Sequence, residues 1–175
     1  SKPVNSCKLR EAHIDFSDNA IADDCLMFLL NWLQSKRVRV RVLKLCGNQL
    51  TDGGLKSILD HVVHQEDKPY HELSLSRNKF SAQVLKELLV AINNHPAYPR
   101  LVCIEKSTEV RHMPLMLHAT KCGMAIEDIN AMIAECQKTF KICLEEGIEA
   151  GQGQPSVQPD PKDSFLVQLP KVLEQ

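Results

Sequence analysis

Between residues 14 and 92 the apolar positions fall into two alternating rhythms. A short stretch with every second residue apolar is followed, after a turn, by a longer stretch spaced at three and four. Leu43 and Leu45 show the first rhythm; Leu55, Ile58, Leu59 and Val62 show the second. Period two puts side chains on one side of a strand, whereas spacing of three and four makes one face of a helix. Each passage therefore predicts a strand, a turn and a helix.

The passage recurs. Around Asn48, apolar residues sit at Leu43, Leu45, Leu50, Leu55, Ile58, Leu59 and Val62. The same offsets around Asn19 hold Ile14, Phe16, Ile21, Leu26, Leu29, Leu30 and Leu33. Around Asn78 they hold Leu73, Leu75, Phe80, Leu85, Leu88, Leu89 and Ile92. The asparagines are 29 and 30 residues apart. A unit this small cannot bury its apolar face alone, so copies must stack, with strands parallel on one side and helices on the other. Asparagine suits the turn because its short amide satisfies backbone groups that no ladder reaches. Gly53 and Gly54 ease the turn into the second helix.

The segments IDFSDNAI, LKLCGNQL and LSLSRNKF resemble the LxLxxNxL core of leucine-rich repeats, and the length of the unit is similar to that of the ribonuclease-inhibitor-like subclass. The resemblance covers residues 14 to 92. It implies an α/β fold: a short solenoid with parallel strands on a concave face and helices on a convex face. It also implies a binding surface rather than a catalytic centre.

A fourth, degenerate copy is expected next. Leu101 and Cys103 fit its strand, and Met113, Met116 and Leu117 fit its helix offsets. Lys106 would stand where the asparagine stood and Thr108 where the next apolar residue stood, with Pro114 near the helix start. Tyr70 and Tyr98, in the loops leading to the third and fourth strands, take the offset that Val40 occupies. The solenoid and a short N-terminal cap (Val4, Cys7, Leu9) then occupy residues 1–122. A stripe of Ile126, Ile129, Ile133, Cys136, Phe140 and Cys143 predicts an amphipathic helix that caps the open end within residues 123–150.

Residues 151–164, rich in Gly, Pro and Gln, read as a flexible linker able to span ~20 Å. The last segment, residues 165–175, is apolar again, with Phe165, Leu166, Val167, Leu169, Val172 and Leu173. Left exposed, such a segment invites aggregation, so it reads as a docking motif for a groove in its own solenoid or in a second copy. Pro170 splits it into an extended FLVQL and a short turn of helix.

Lysine and arginine number 21 against 22 acidic residues, so net charge exerts no global pull toward nucleic acid or an anionic membrane. The seven cysteines are odd in number and include no CxxC pair, which predicts reduced thiols in a cytoplasmic or nuclear protein. Ser1 in place of an initiator methionine reads as a fragment of a longer protein. No apolar run reaches the ~18 residues of a membrane span.

Little in the chain suggests chemistry. His112, His118, Cys122 and Cys103 are zinc-type ligands without zinc-type spacing, so no metal or other cofactor is expected. His61 and His64 are placed on the solvent side of the second helix, and GxSxG, Walker and HExxH motifs are missing. Asp23–Asp24 and Glu145–Glu146 read as a helix start and a solvated helix end. The chain is therefore expected to be a non-enzymatic scaffold or adaptor with a protein or peptide partner.

The partner face is assigned to the outward strand positions: His13, Asp15 and Ser17; Val42, Lys44 and Cys46; Glu72, Ser74 and Ser76; Arg100, Val102 and Ile104. The alternative partner is RNA, gripped through phosphates by the basic segment Lys36–Lys44 (SKRVRVRVLK). Arg37 and Arg39 are expected in the loop before the second strand, and no aromatic residue interleaves for base stacking.

Overall fold

The computed structural model of the chain describes residues 10–64, 70–103, 110–140, 143–144 and 165–168. Strand and helix alternate through β1 (Arg10–Asp15), α1 (Asp23–Ser35), β2 (Val38–Lys44), α2 (Asp52–Val63), β3 (Glu72–Ser74) and α3 (Ala82–Asn94). Then come β4 (Arg100–Cys103), β5 (Val110–Met113), β6 (Leu115–His118), α4 (Ile126–Cys136), β7 (Cys143–Leu144) and β8 (Phe165–Gln168). The fold is α/β. Its main sheet has the order β1-β2-β3-β6-β8-β7, and every neighbouring pair is parallel.

Register follows the sequence offsets. Ile14, Leu43, Leu73 and Leu117 are successive partners across β1, β2, β3 and β6. Leu43, Leu73 and Leu117 are fully buried, and each contributes about 1.5–3 kcal/mol of hydrophobic stabilisation. They share one core with Leu26 and Leu30 of α1, Leu55 and Ile58 of α2, Leu85 and Leu88 of α3, and Ile129 of α4. The helices thus cover one side of the sheet, and among the described residues no helix covers the other.

After β1, β2, β3 and β6 the chain turns through a left-handed residue: Asp18, Gly47, Arg77 and Lys121, with φ between 55° and 65°. The next residue is Asn19, Asn48, Asn78 or Cys122. Asn48 Oδ1 accepts from the backbone N–H of Asn19 at 3.1 Å and of Ile21 at 2.9 Å. Its Nδ2 donates to the carbonyls of Phe16 and Leu45 at 2.9 and 3.0 Å. Asn78 repeats the device one unit on, accepting from Leu50 N–H at 3.1 Å and donating to Leu45 and Leu75 at 2.9 and 2.8 Å. One amide therefore satisfies groups from two successive turns, which would otherwise be buried without partners.

The fourth copy is not where the spacing placed it. Met113 ends β5, while Met116 and Leu117 lie in β6, so none of the three is helical. Leu101 and Cys103 do lie in a strand, but β4 pairs antiparallel with β5 in a separate two-stranded sheet. Lys106 and Thr108 fall outside the described residues. The fourth strand of the main sheet is β6, so the fourth origin is Cys122, 44 residues after Asn78.

Around Cys122 the offsets are filled by Leu117, Ala119, Met124, Ile129, Met132, Ile133 and Cys136. The buried thiol takes over part of the asparagine's task, donating to Leu75 O at 3.5 Å and Thr120 O at 3.3 Å. The physical reason for the shift is the free edge of β3. Leu115 and Leu117 alternate as a strand needs; Met116 to His118 pair with β3, and both leucines are completely buried. Pro114, lacking an N–H, sits at the break between β5 and β6.

The expected capping helix changes in the same way. It ends at Cys136 rather than running to residue 146, and it occupies the helix offsets of the fourth copy, packed beside α3. Ile129, Ile133 and Cys136 of the stripe are buried; Phe140 lies beyond the helix and is partly buried against the core, and Cys143 belongs to β7. Val4, Cys7 and Leu9 lie outside the described residues, as do residues 151–164 and, in the apolar tail, Leu169, Val172 and Leu173. Phe165, Leu166 and Val167 form β8, whose backbone pairs with β6 on one side and β7 on the other.

Candidate functional site

The open side of the main sheet carries the outward strand residues in rows. One row runs His13, Val42, Glu72, Met116; the next runs Asp15, Lys44, Ser74, His118. Beyond the strands Ser17, Cys46, Ser76 and Thr120 extend the pattern into the turns. His13 and Asp15 are exposed; Ser17, Val42, Lys44 and Glu72 are half-buried; Cys46, Ser74 and Ser76 are buried.

Two of the twelve positions read from the sequence lie elsewhere, and a third is outside the described residues. Arg100 and Val102 belong to β4, outside the main sheet, and Ile104 is not among the described residues. The structure puts Met116, His118 and Thr120 in that column instead. A sequence signal for them exists in LMLHA, where alternation precedes Cys122 by the same interval that separates Leu75 from Asn78. A cysteine in the asparagine position hides it.

Glu72 is the electrostatic centre of the face. Its Oε1 lies 3.3 Å from Lys44 Nζ and 4.0 Å from His118 Nε2, and accepts a hydrogen bond from Ser74 Oγ at 3.1 Å. The three charged or chargeable side chains are 35%, 27% and 13% exposed for Lys44, Glu72 and His118, so solvent reaches them without dominating them. On β1, Asp15 Oδ1 accepts from Ser17 N–H at 3.0 Å. Hydrogen bonding by Ser17 holds that carboxyl below its usual range, with the Lys44 charge adding to the effect.

Alternating charge, a basic group beside each acidic one, suits a polar chain laid across the strands.

Cys46, on this face, and Cys122, in the turn after β6, are buried free thiols. Burial pushes Cys46 up, and pushes Cys122 up to about 11, so both stay protonated at neutral pH. The zinc-type residues are divided: Cys103 and His112 lie on β4 and β5, and His118 and Cys122 on and after β6. Among the described residues, no three His, Cys, Asp or Glu side chains converge as a metal ion requires.

The basic segment is also split. Arg39 and Arg41 lie in β2, so Arg39 is a strand residue and not part of the preceding loop. Arg41 pairs with Glu11 at 2.6 Å and Lys44 with Glu72. Lys36 and Arg37, at the α1–β2 turn, are exposed. His64 is exposed as expected, but His61 is not on the solvent side: it is buried, with Nδ1 2.6 Å from the Tyr70 hydroxyl. Tyr70, the residue two before β3, is itself fully buried and packs its ring against that of His61. Burial of the ring lowers His61 to about 4.

Two shallow grooves run between neighbouring helices. One of about 350 Å³ lies between α3 and α4, crossed by the Lys86–Glu135 pair at 2.9 Å. The other, about 340 Å³, lies between α1 and α2. Among the described residues no helix is long and apolar enough to cross a membrane. A scan against models of known protein families and a search among curated proteins found no match.

Proposed function

We propose that the chain is a short leucine-rich-repeat solenoid that binds a protein or peptide through the open, concave face of its sheet, as a non-catalytic scaffold or adaptor. The reading rests on the cluster of Lys44, Glu72 and His118 from adjacent rows, where half-buried groups of opposite sign share one accessible surface while the helices seal the other side of the sheet. Recurring offsets around Asn19, Asn48, Asn78 and Cys122 support the repeat assignment. Free thiols at Cys25, Cys46, Cys122 and Cys136 suit the reducing cytoplasm or nucleus. The apolar tail, whose β8 lies beside β6, acts in this reading as a motif docked on its own domain.

An RNA partner gripping Lys36–Lys44 is the weaker reading, because Glu11 and Glu72 already engage Arg41 and Lys44. The test is affinity capture with the wild-type chain and with Lys44→Ala/Glu72→Ala/His118→Ala, followed by titration of the captured protein. Binding weakened by tenfold or more in the triple variant supports the face, at a cost of about 1.4 kcal/mol or more. Binding that survives the triple change, or a salt-dependent shift of labelled RNA that disappears in Lys36→Ala/Arg37→Ala, rejects it.

A further inference from the structure

Helix α1 is the first of the row and has a helical neighbour on one side only among the described residues. Its core side holds Leu26, Leu30 and Leu33, and the groove against α2 is lined by Met27, Leu30, Asn31 and Gln34. From α2 that groove receives Ser57 and His61. The residues of α1 that match Ser57 and His61 in the repeat are Phe28 and Trp32. They face the side where a preceding helix would lie, and they are 77% and 54% exposed. Cys25 lies on the same side, one turn earlier, and is exposed too. Polar residues would stand here if this face met only water.

We propose that a second copy of the chain docks on this face, head to head, with the two α1 helices antiparallel. Two observations favour a second copy over an unrelated partner. The first is shape. A two-fold axis passing between Phe28 and Leu29 sets each Phe28 against the other copy's Leu29, and each Trp32 against the other's small Cys25. Large meets small on both sides, as an isologous contact requires. The second is charge. Asp24 stands exposed in the first turn of α1, and Lys36 and Arg37 stand exposed just past its last turn. Antiparallel pairing brings the acidic end of each helix to the basic end of the other, and opposes the two helix dipoles.

The contact lies at the opposite end of the sheet from β8 and leaves the open face free, so it is compatible with partner binding there. Sedimentation velocity of the full chain from low to high micromolar concentration tests it. The mass should rise from 19.7 kDa toward twice that value. Phe28→Ser/Trp32→Ser should remain monomeric at every concentration while keeping the wild-type far-UV circular dichroism, because neither side chain belongs to the core.

Orientation has its own test. Asp24→Lys alone and Lys36→Glu/Arg37→Asp alone should each weaken self-association by tenfold or more. An equimolar mixture of these two variants should recover the wild-type affinity, since opposite charges then meet at both ends of the mixed pair. A wild-type chain that stays monomeric, a serine variant that still dimerises, or a mixture that fails to recover overturns the proposal.

Discussion

The carboxylate of Asp23 accepts hydrogen bonds from both the backbone N–H and the hydroxyl of Thr51, joining the first turn of α1 to the start of α2. Thr51 in turn caps α2 by accepting from Gly53 N–H. One unit on, Asp52 receives the N–H and hydroxyl of Ser81 at 2.6 and 2.9 Å, and Ser81 caps α3. Each aspartate thus places a negative charge at the positive end of the following helix. The series stops where the residue types stop: Ala82 follows Ser81, and Ala125 precedes α4 without a side-chain cap.

This link explains Gly53 and Gly54 better than a turn does. Both lie inside the first turn of α2, and a Cβ on Gly54 would fall 2.5 Å from Asp23 Oδ1. Gly54→Ala should therefore destabilise the fold, and Asp23→Ala should cost on the order of 1.5–3 kcal/mol for its charged hydrogen bonds. The two changes should couple. In an Asp23→Ala background the alanine should be tolerated, because alanine otherwise favours a helix by up to ~1 kcal/mol over glycine. Urea denaturation of the four proteins measures this, and strictly additive losses would show the contact to be unimportant.

The asparagine series makes a graded prediction. Asn48 serves the turns of two units, whereas the Asn19 side chain makes one exposed bond, to Ser17 O at 2.7 Å. Asn48→Ala should cost about 3 kcal/mol and Asn19→Ala less than ~1 kcal/mol. Cys122→Ala, which removes only weak thiol donors, should fall nearer to Asn19. Thermal unfolding ranks the three, and equal losses at Asn48 and Asn19 contradict the ladder.

His61 predicts a pH dependence. Its folded value, about 4, lies below the ordinary 6.5, so the folded state favours the neutral ring. The stabilisation is complete above pH 6.5 and declines as acid protonates the unfolded chain first, down to about pH 4, by roughly 3 kcal/mol. His61→Leu should flatten that part of the profile, although it leaves the Tyr70 hydroxyl without this partner and lowers the plateau. A stability profile from pH 7 to pH 4 equally steep in the variant would assign the loss to carboxylates instead.

Removal of residues 165–175 tests the tail. It strips β8 from the edge of β6, leaving four backbone partners unpaired. The midpoint of thermal unfolding should fall by several degrees, while the solution mass at a given concentration keeps the wild-type number of copies. A fall in the number of copies would mean that the segment docks between chains.

Apolar spacing alone determined a great deal: the strand–turn–helix unit, the three clear copies, their registration and most of the core. These follow from periodicity, because a side chain's direction along a strand or helix is fixed by local backbone geometry. Nine of the twelve outward positions, from His13 to Ser76, follow from the same geometry. Tertiary structure decided the rest. Met113, Met116 and Leu117 satisfy helical spacing as well as Leu115 and Leu117 satisfy strand spacing, and only the open edge of β3 chooses between them. His61 looks solvent-facing until Tyr70, nine residues on, packs against it. Asp23 looks like a cap for its own helix, yet its partner stands 28 residues further on. Pattern reports what a segment can become in isolation; which of two permitted structures it takes, and which polar groups it meets, depends on neighbours that only the packed chain supplies.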